Sequence, residues 1–469
     1  GVPQELTWIN YARLVYRKRH AATADAADVR AEAAGPFQIR DFTGSAFVGV
    51  EATDATRPVW LTGLVADPDG ANFIARLGAA GPGRYVVAAP LGVRAVEAIL
   101  ANAASNLHQT ALDVDYLMVA GSALVAETDR LASYRRGTGL VVTLADVEDV
   151  YDEFTAGIPD PAAIRAFVQY AYGAGVVRRP RYLLLAGEGS LDPKNHIGTS
   201  APDAVPLKMV DAIFATTASD SWFTLVAGND LMPDLAYGRI PVTTAPQLAG
   251  VIDKILAYET TSPAGAWEDR VTLISDNADS AGDFRAMNES LSALIPAPYV
   301  QDKIYLSDLG LATTRTRIVS SFNAGAVFVN YHGHGFQNQF ATENLFNLSQ
   351  VPALANADQY FFLQALNCLN GSFQSPQNEC LGEVLVENAG RGAVAFWGSS
   401  TLTIAPPQIL IAASMARSLF TDGVSVVGDA QLRALLDFYG GNSWDIEYDN
   451  DILRGSICIG DPALRLRLP

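Results

Sequence analysis

From residue 114 onward the chain keeps one rhythm, a short run of apolar residues followed by a stretch of helical period. "VDYLMVAG" has the character of a buried strand, and "SALVAETDRLASYRRGTG" that of an amphipathic helix stopped by glycine. "LVVTLADVEDVYDEF" is a second strand running into a helical turn, and "RYLLLAGEG" is a third. Between them "DPAAIRAFVQYAYGAG" predicts a helix with Asp160 at its N-cap and Pro161 at its first position. Strands with no polar face, separated by helices, bury both faces, so a parallel sheet covered on both sides is expected.

The rhythm resumes after "APQLAGVIDKILAYE", a helix that bridges two halves. "DRVTLISDN", "AGAVFVNYHGHG", "QYFFLQALNC" and "GRGAVAFWGSS" are expected strands, with "GDFRAMNESLSALI" a helix after the first of them. Before residue 106 the texture differs: "GPFQIRDFTGSAFVGVEATDATRPVWLTGLVADPDG" alternates short apolar runs with Gly, Pro and Asp, as antiparallel strands do. The expected organisation is a β-rich unit over 1–105, an α/β half over 106–258, and a second α/β half over 259–469.

Composition narrows the partners. Hydrophobic residues make up 49% and charged ones 17%, which suits a packed core. The net charge of −18 repels nucleic acid, and no basic cluster offsets it. No apolar run approaches the roughly 18 residues that a membrane-spanning helix needs. The opening "GVPQ", without methionine, is expected of a chain cut from a longer precursor. Three cysteines, Cys368, Cys380 and Cys458, are too few for a disulfide framework and leave at least one free thiol.

Reactive groups of open α/β sheets collect where strands end. The second half delivers Asp276 after "VTLIS", His332 and His334 after "GAVFVNY", and Cys368 after "YFFLQALN". An imidazole beside a thiol raises its thiolate fraction, and the thiolate is the nucleophile. Asp276 is placed to orient the ring from a third strand end. Two plainer readings stand beside this one. His332 and His334, two residues apart, are able to share a metal ion, although further ligands at motif spacing are missing. A cysteine at the end of an apolar strand is also a good small core residue. Gly335 after His334, and Gly371 after Cys368, favour the catalytic reading, because both loops can bring main-chain amides close to a substrate.

"NYHGHG" followed by "ALNCLNGSF" resembles the gingipain-type cysteine peptidases, relatives of the caspases. "PRYLLLAGEGSLDPKN", "PDLAYGRIPVTTAPQLAGVIDKILAYE" and "CIGDPALRLR" extend the resemblance over roughly residues 112 to 469. It implies a caspase-like α/β sandwich preceded by an accessory or prodomain-like β unit. It implies a nucleophile at Cys368, a catalytic histidine at His334, and oxyanion donors at the amides of Gly335 and Cys368. Its third catalytic group falls on Asp276, with Asn277 as the alternative orienting partner. His332 takes the place of a non-catalytic residue.

The resemblance further implies an endopeptidase acting on proteins or peptides, secreted or at the cell surface, with no cofactor required for the chemistry. Cleavage after Arg or Lys is expected from Asp283, which with Asn288 five residues later matches the spacing of the arginine-cutting relatives; the plain alternative for Asp283 is a helix cap. Ile404 stands where those relatives place a tryptophan wall. The loop "AGNDLMPD" offers Asn229, Asp230 and Asp234 as calcium ligands, or as a solvated turn, and relatives bind that ion. A transpeptidase using the same acyl-enzyme, and a non-catalytic peptide-binding scaffold, are the alternative functions.

Overall fold

The structure is a computed structural model describing residues 19–55, 57–95, 102–108, 112–173, 178–199, 203–441 and 446–469. The opening "GVPQ" lies outside the described residues. The chain divides into two compact units, residues 1–103 and 104–469. In the first, one antiparallel sheet orders Ala26–Ala31, Gly83–Ala88, Val48–Glu51 and Val59–Trp60. A second antiparallel sheet orders Gly35–Phe42, Asn72–Ala79 and Val65–Asp69. Alternate residues point inward, so Ile39, Phe42, Ala75, Tyr85 and Val87 form this unit's own core.

The second unit is built on a ten-stranded sheet. Its strands are β1 (Tyr116–Ala120), β2 (Val142–Asp146), β3 (Tyr182–Ala186), β4 (Ala236–Ile240), β5 (Arg270–Ser275), β6 (Val300–Tyr305), β7 (Phe328–His332), β8 (Phe361–Leu366), β9 (Ala393–Ser399) and β10 (Ser456–Ile459). Their order across the sheet is β6-β5-β7-β8-β9-β10-β4-β3-β1-β2. Every neighbouring pair is parallel except β9 with β10. The two α/β halves expected from the sequence thus share one sheet, joined at β10, which is the last strand in the chain. Strands β1, β3, β4, β7 and β8 are buried along their whole length, as covered parallel strands are.

Helix ends follow their local chemistry. Asp160 accepts the Ala162 amide at the start of Pro161–Tyr172, and Thr244 with Gln247 forms a capping box on Ala245–Thr260. A buried ion pair braces the first half: Arg239 on β4 holds Asp220 at 2.8 Å, donates to the carbonyls of Gly187 and Val205, and lies over the Phe373 ring.

The register of β5, β7 and β8 sets up the site. Ser275, His332 and Leu366 are direct partners across these three strands. The loops that begin at Asp276, Gly333 and Asn367 therefore leave the sheet side by side.

Candidate active site

The β7 strand ends in a histidine that points into the protein. His332 is fully buried, and its Nδ1 meets Oδ1 of Asn288 at 3.0 Å and Nδ2 of Asn330 at 3.1 Å. Burial lowers its pKa to about 3, so the ring is neutral. Among the described residues no group of three or more His, Cys, Asp or Glu side chains is arranged to hold an ion.

The chain then turns at Gly333, where an added Cβ would come within 2.4 Å of Tyr331 Oη and 2.6 Å of Asp276 Cβ. Glycine is required there. The turn delivers His334 to the surface, half exposed, with its backbone fixed from both sides. The His334 carbonyl accepts from Tyr331 Oη at 2.7 Å and from the Ala341 amide at 2.8 Å, and its amide donates to Asp276 Oδ2 at 3.2 Å. Its ring donates from Nε2 to Oδ2 of Asp279 at 2.8 Å, with the Phe284 ring edge-on at 5.5 Å.

The carboxylate on the imidazole is therefore Asp279, not Asp276. Asp276 is buried, and its oxygens are occupied by the amides of Asn277 and His334. Burial raises its pKa, opposed by those two amides. Nδ2 of Asn277 reaches only the Ala278 carbonyl, at 3.5 Å. Asp279 is held below the usual carboxylate range, first by the Ala281 amide and then by the His334 ring. The sequence shows three acids between 276 and 283, and which of them meets the ring depends on how the loop folds back.

Cys368 follows β8 by two residues and is half-buried. Its Sγ receives the Thr403 amide at 3.3 Å and donates to the Thr403 carbonyl at 3.5 Å. Gln408 donates to Thr403 Oγ1 at 2.9 Å, which holds this support in place. Leu369, the next residue, sits at φ +64°, a conformation L residues rarely adopt. Cys380 and Cys458 are fully buried, and burial pushes both thiols up. Cys368 alone of the three is not fully buried.

His334 and Cys368 line one cavity of about 300 Å³, with Phe284, Ile404, Pro406 and Gln408 among its other walls. Asp283 does not line the cavity; it is exposed and caps the helix Phe284–Ser292 by accepting the Ala286 amide at 2.9 Å. Asn288, fully buried, donates to the Ile274 carbonyl and belongs to the polar set around His332. In the Asn229–Asp234 loop, Asp234 accepts the amides of Val226 and Ala227, and Asp230 accepts that of Met232. The remaining carboxylate oxygens and Asn229 are a thin set for calcium, which takes roughly six to eight oxygens.

A thiol and an imidazole on adjacent parallel strand ends, opening into one cavity, are the arrangement of an α/β cysteine peptidase. The model of peptidase family C25 matches residues 109–467, and the chain belongs to that family. It is 29% identical over 251 residues to Lys-gingipain of Porphyromonas gingivalis, a match covering 53% of this chain and 14% of that protein. The chain thus spans a small part of the length of this relative. Its fold is similar to the crystal structure of the Arg-specific cysteine proteinase gingipain R, with a TM-score of 0.64 at 20% identity over 77% of this chain and 80% of that one. Dimeric latent PorU from P. gingivalis matches at a TM-score of 0.55 and 17% identity, over 96% of this chain and 40% of that one. Among the described residues no helix is long and apolar enough to cross a membrane.

Proposed function

We propose that this protein is a cysteine endopeptidase in which Cys368 is the nucleophile and His334 the proton carrier. The observation that carries this reading is the shared cavity, into which the accessible thiol and the carboxylate-held imidazole both open. Sγ attacks the scissile carbonyl as its proton passes to His334, and the amides of Gly335 and Cys368 receive the oxyanion. The imidazolium gives that proton to the leaving amine as the C–N bond breaks, leaving a thioester. Water then adds to the thioester, releasing the new carboxyl group and restoring the thiol. In the resting site the thiol is bonded to Thr403. Asp279 orients the ring, and Asp276 fixes the main chain that carries it.

Cleavage after Arg or Lys is the specificity proposed. The names of the Lys-gingipain and Arg-specific relatives support it. Asp283 supports it too: its cap uses only Oδ1, and the adjacent Phe284 lines the cavity. The chemistry requires no cofactor, and calcium at Asn229, Asp230 and Asp234 is a separate structural proposal, tested by the melting temperature with calcium against chelator. A secreted or cell-surface location belongs to the same reading and is tested by fractionating expressing cells.

Digestion of a peptide library tests the function. Cys368→Ala is expected to abolish both cleavage and labelling by a thiol-reactive peptide, while Cys380→Ala leaves both intact. Equal loss from the two variants would overturn the assignment. Adding a good amine nucleophile and weighing the products separates hydrolysis from transpeptidation.

A further inference from the structure

Asn370 lies two residues past the nucleophile with its side chain fully buried, and it joins the two loops that the reaction uses. Its Nδ2 donates to the carbonyl of Phe336 and, at 3.2 Å, to that of Gln339. Its Oδ1 accepts from Nδ2 of Asn367. Its own amide donates to the Cys368 carbonyl at 2.8 Å, and its carbonyl accepts the Gly382 amide at 2.9 Å. One side chain thus ties the strand pair of Gly335–Phe336 and Gln339–Phe340 to the turn that carries Cys368. The two loops meet closely: a Cβ on Gly335 would lie 2.3 Å from Asn367 Nδ2 and 2.4 Å from the Cys368 carbonyl oxygen.

We propose that Asn370 is a positioning residue that sets the spacing of the Gly335 and Cys368 amides, and hence the geometry of the oxyanion site. This rests on the reading of Cys368 as the nucleophile. A neutral amide suits the task, because one planar group offers two donors to carbonyls and an acceptor to Asn367. Aspartate has the same shape but presents no donor to the two carbonyls. Oxyanion donors act through distance, within about 2.7–3.1 Å of the developing charge, so a small drift of one loop weakens them steeply. The hydrogen bonds of Asn370 go to neither the thiol nor the imidazole, which separates its role from theirs.

The test compares two reactions of the full chain. Turnover of a peptide substrate passes through an oxyanion. Alkylation by iodoacetamide does not, since Sγ attacks carbon and iodide leaves. Asn370→Ala and Asn370→Asp are expected to lower kcat by about a hundredfold with KM little changed, while alkylation of Cys368 stays within about twofold of the parent. The aspartate variant conserves volume and serves if the alanine variant fails to fold. Retained kcat overturns the proposal, and so does alkylation that falls in step with kcat, which marks a general collapse of the site. A parent chain that neither cleaves peptides nor labels at Cys368 refutes the nucleophile itself, and this proposal with it.

Discussion

Nε2 of His334 donates to Oδ2 of Asp279 across 2.8 Å, and the two side chains are equally exposed, at 39% each. So exposed a pair contributes little to stability, yet it fixes which ring nitrogen carries the proton. Asp276, three residues earlier, does the opposite: it is buried and holds the main chain beneath the ring.

These two acids separate by experiment. Asp279→Asn is expected to lower kcat by on the order of tenfold to a hundredfold with the melting temperature unchanged. Asp276→Ala strands the amides of Asn277 and His334, and is expected to cost about 1–3 kcal/mol of folding stability as well as activity. Steady-state kinetics beside denaturant unfolding of each variant checks both; a stable, inactive Asp276→Ala would exchange the two roles.

A charge-only substitution divides the two uses of Asp283. Asparagine caps a helix about as well as aspartate does. Asp283→Asn is therefore expected to keep the unfolding midpoint and lose preference for Arg and Lys in a substrate profile. Unchanged preference would leave the cap as its whole function.

Arg239 and Asp220 form a pair with almost no solvent access. Arg239→Met leaves the aspartate buried and alone, an expected loss of about 3–5 kcal/mol in urea unfolding. Replacing both, with Asp220→Leu, is expected to recover most of that loss. Activity should fall with the single change, because Arg239 also supports Phe373 in the segment after Cys368.

Stability is expected to decline as pH rises toward 8. Glu188, Glu383 and Glu387 line one cavity of about 180 Å³. Burial raises Glu188 and Glu387 to about 8, and Glu383 well above its ordinary value, with neighbouring acids adding to the shift. The same groups titrate near 4.5 in the unfolded chain. Between those values the folded state binds more protons, so this contribution is complete below about 4.5 and lost by about 8. Lys254, lowered to about 7 by burial, is depressed, so its term acts in the other direction and only above about 7. A melting temperature several degrees higher at pH 5 than at pH 7.5 is expected, with the slope flattened in Glu188→Gln and Glu387→Gln. An unaltered slope in both variants would remove these carboxyls as its source.

Much of the fold is legible in the local pattern. Every strand expected between 114 and 399 is present, because a strand buried on both faces needs an unbroken apolar run whatever packs against it. The strands that escape notice are the polar or interrupted ones. Val300–Tyr305 reads "VQDKIY" and lies at the sheet edge, half exposed. Ala236–Ile240 hides Arg239, which is buried only because Asp220 and main-chain carbonyls receive it. Ser456–Ile459 is four residues long, and its place between the halves depends on partners far away in the chain.

The site divides along the same line. Motif and strand-end position already put Cys368 and His334 at the ends of neighbouring strands, since a residue that must follow a buried strand at a fixed offset carries its location in the sequence. Tertiary structure alone decided that Asp279 meets the ring, that Thr403 supports the thiol, and that Asn370 joins the two loops. Those partners are set by the path of loops leaving strands β5, β8 and β9, and that path follows from sheet register and close backbone approach rather than from any periodicity. Three acids within eight residues have nearly the same local chemistry. Only the fold, by burying one, capping a helix with another and turning the third toward an imidazole, gives them different work.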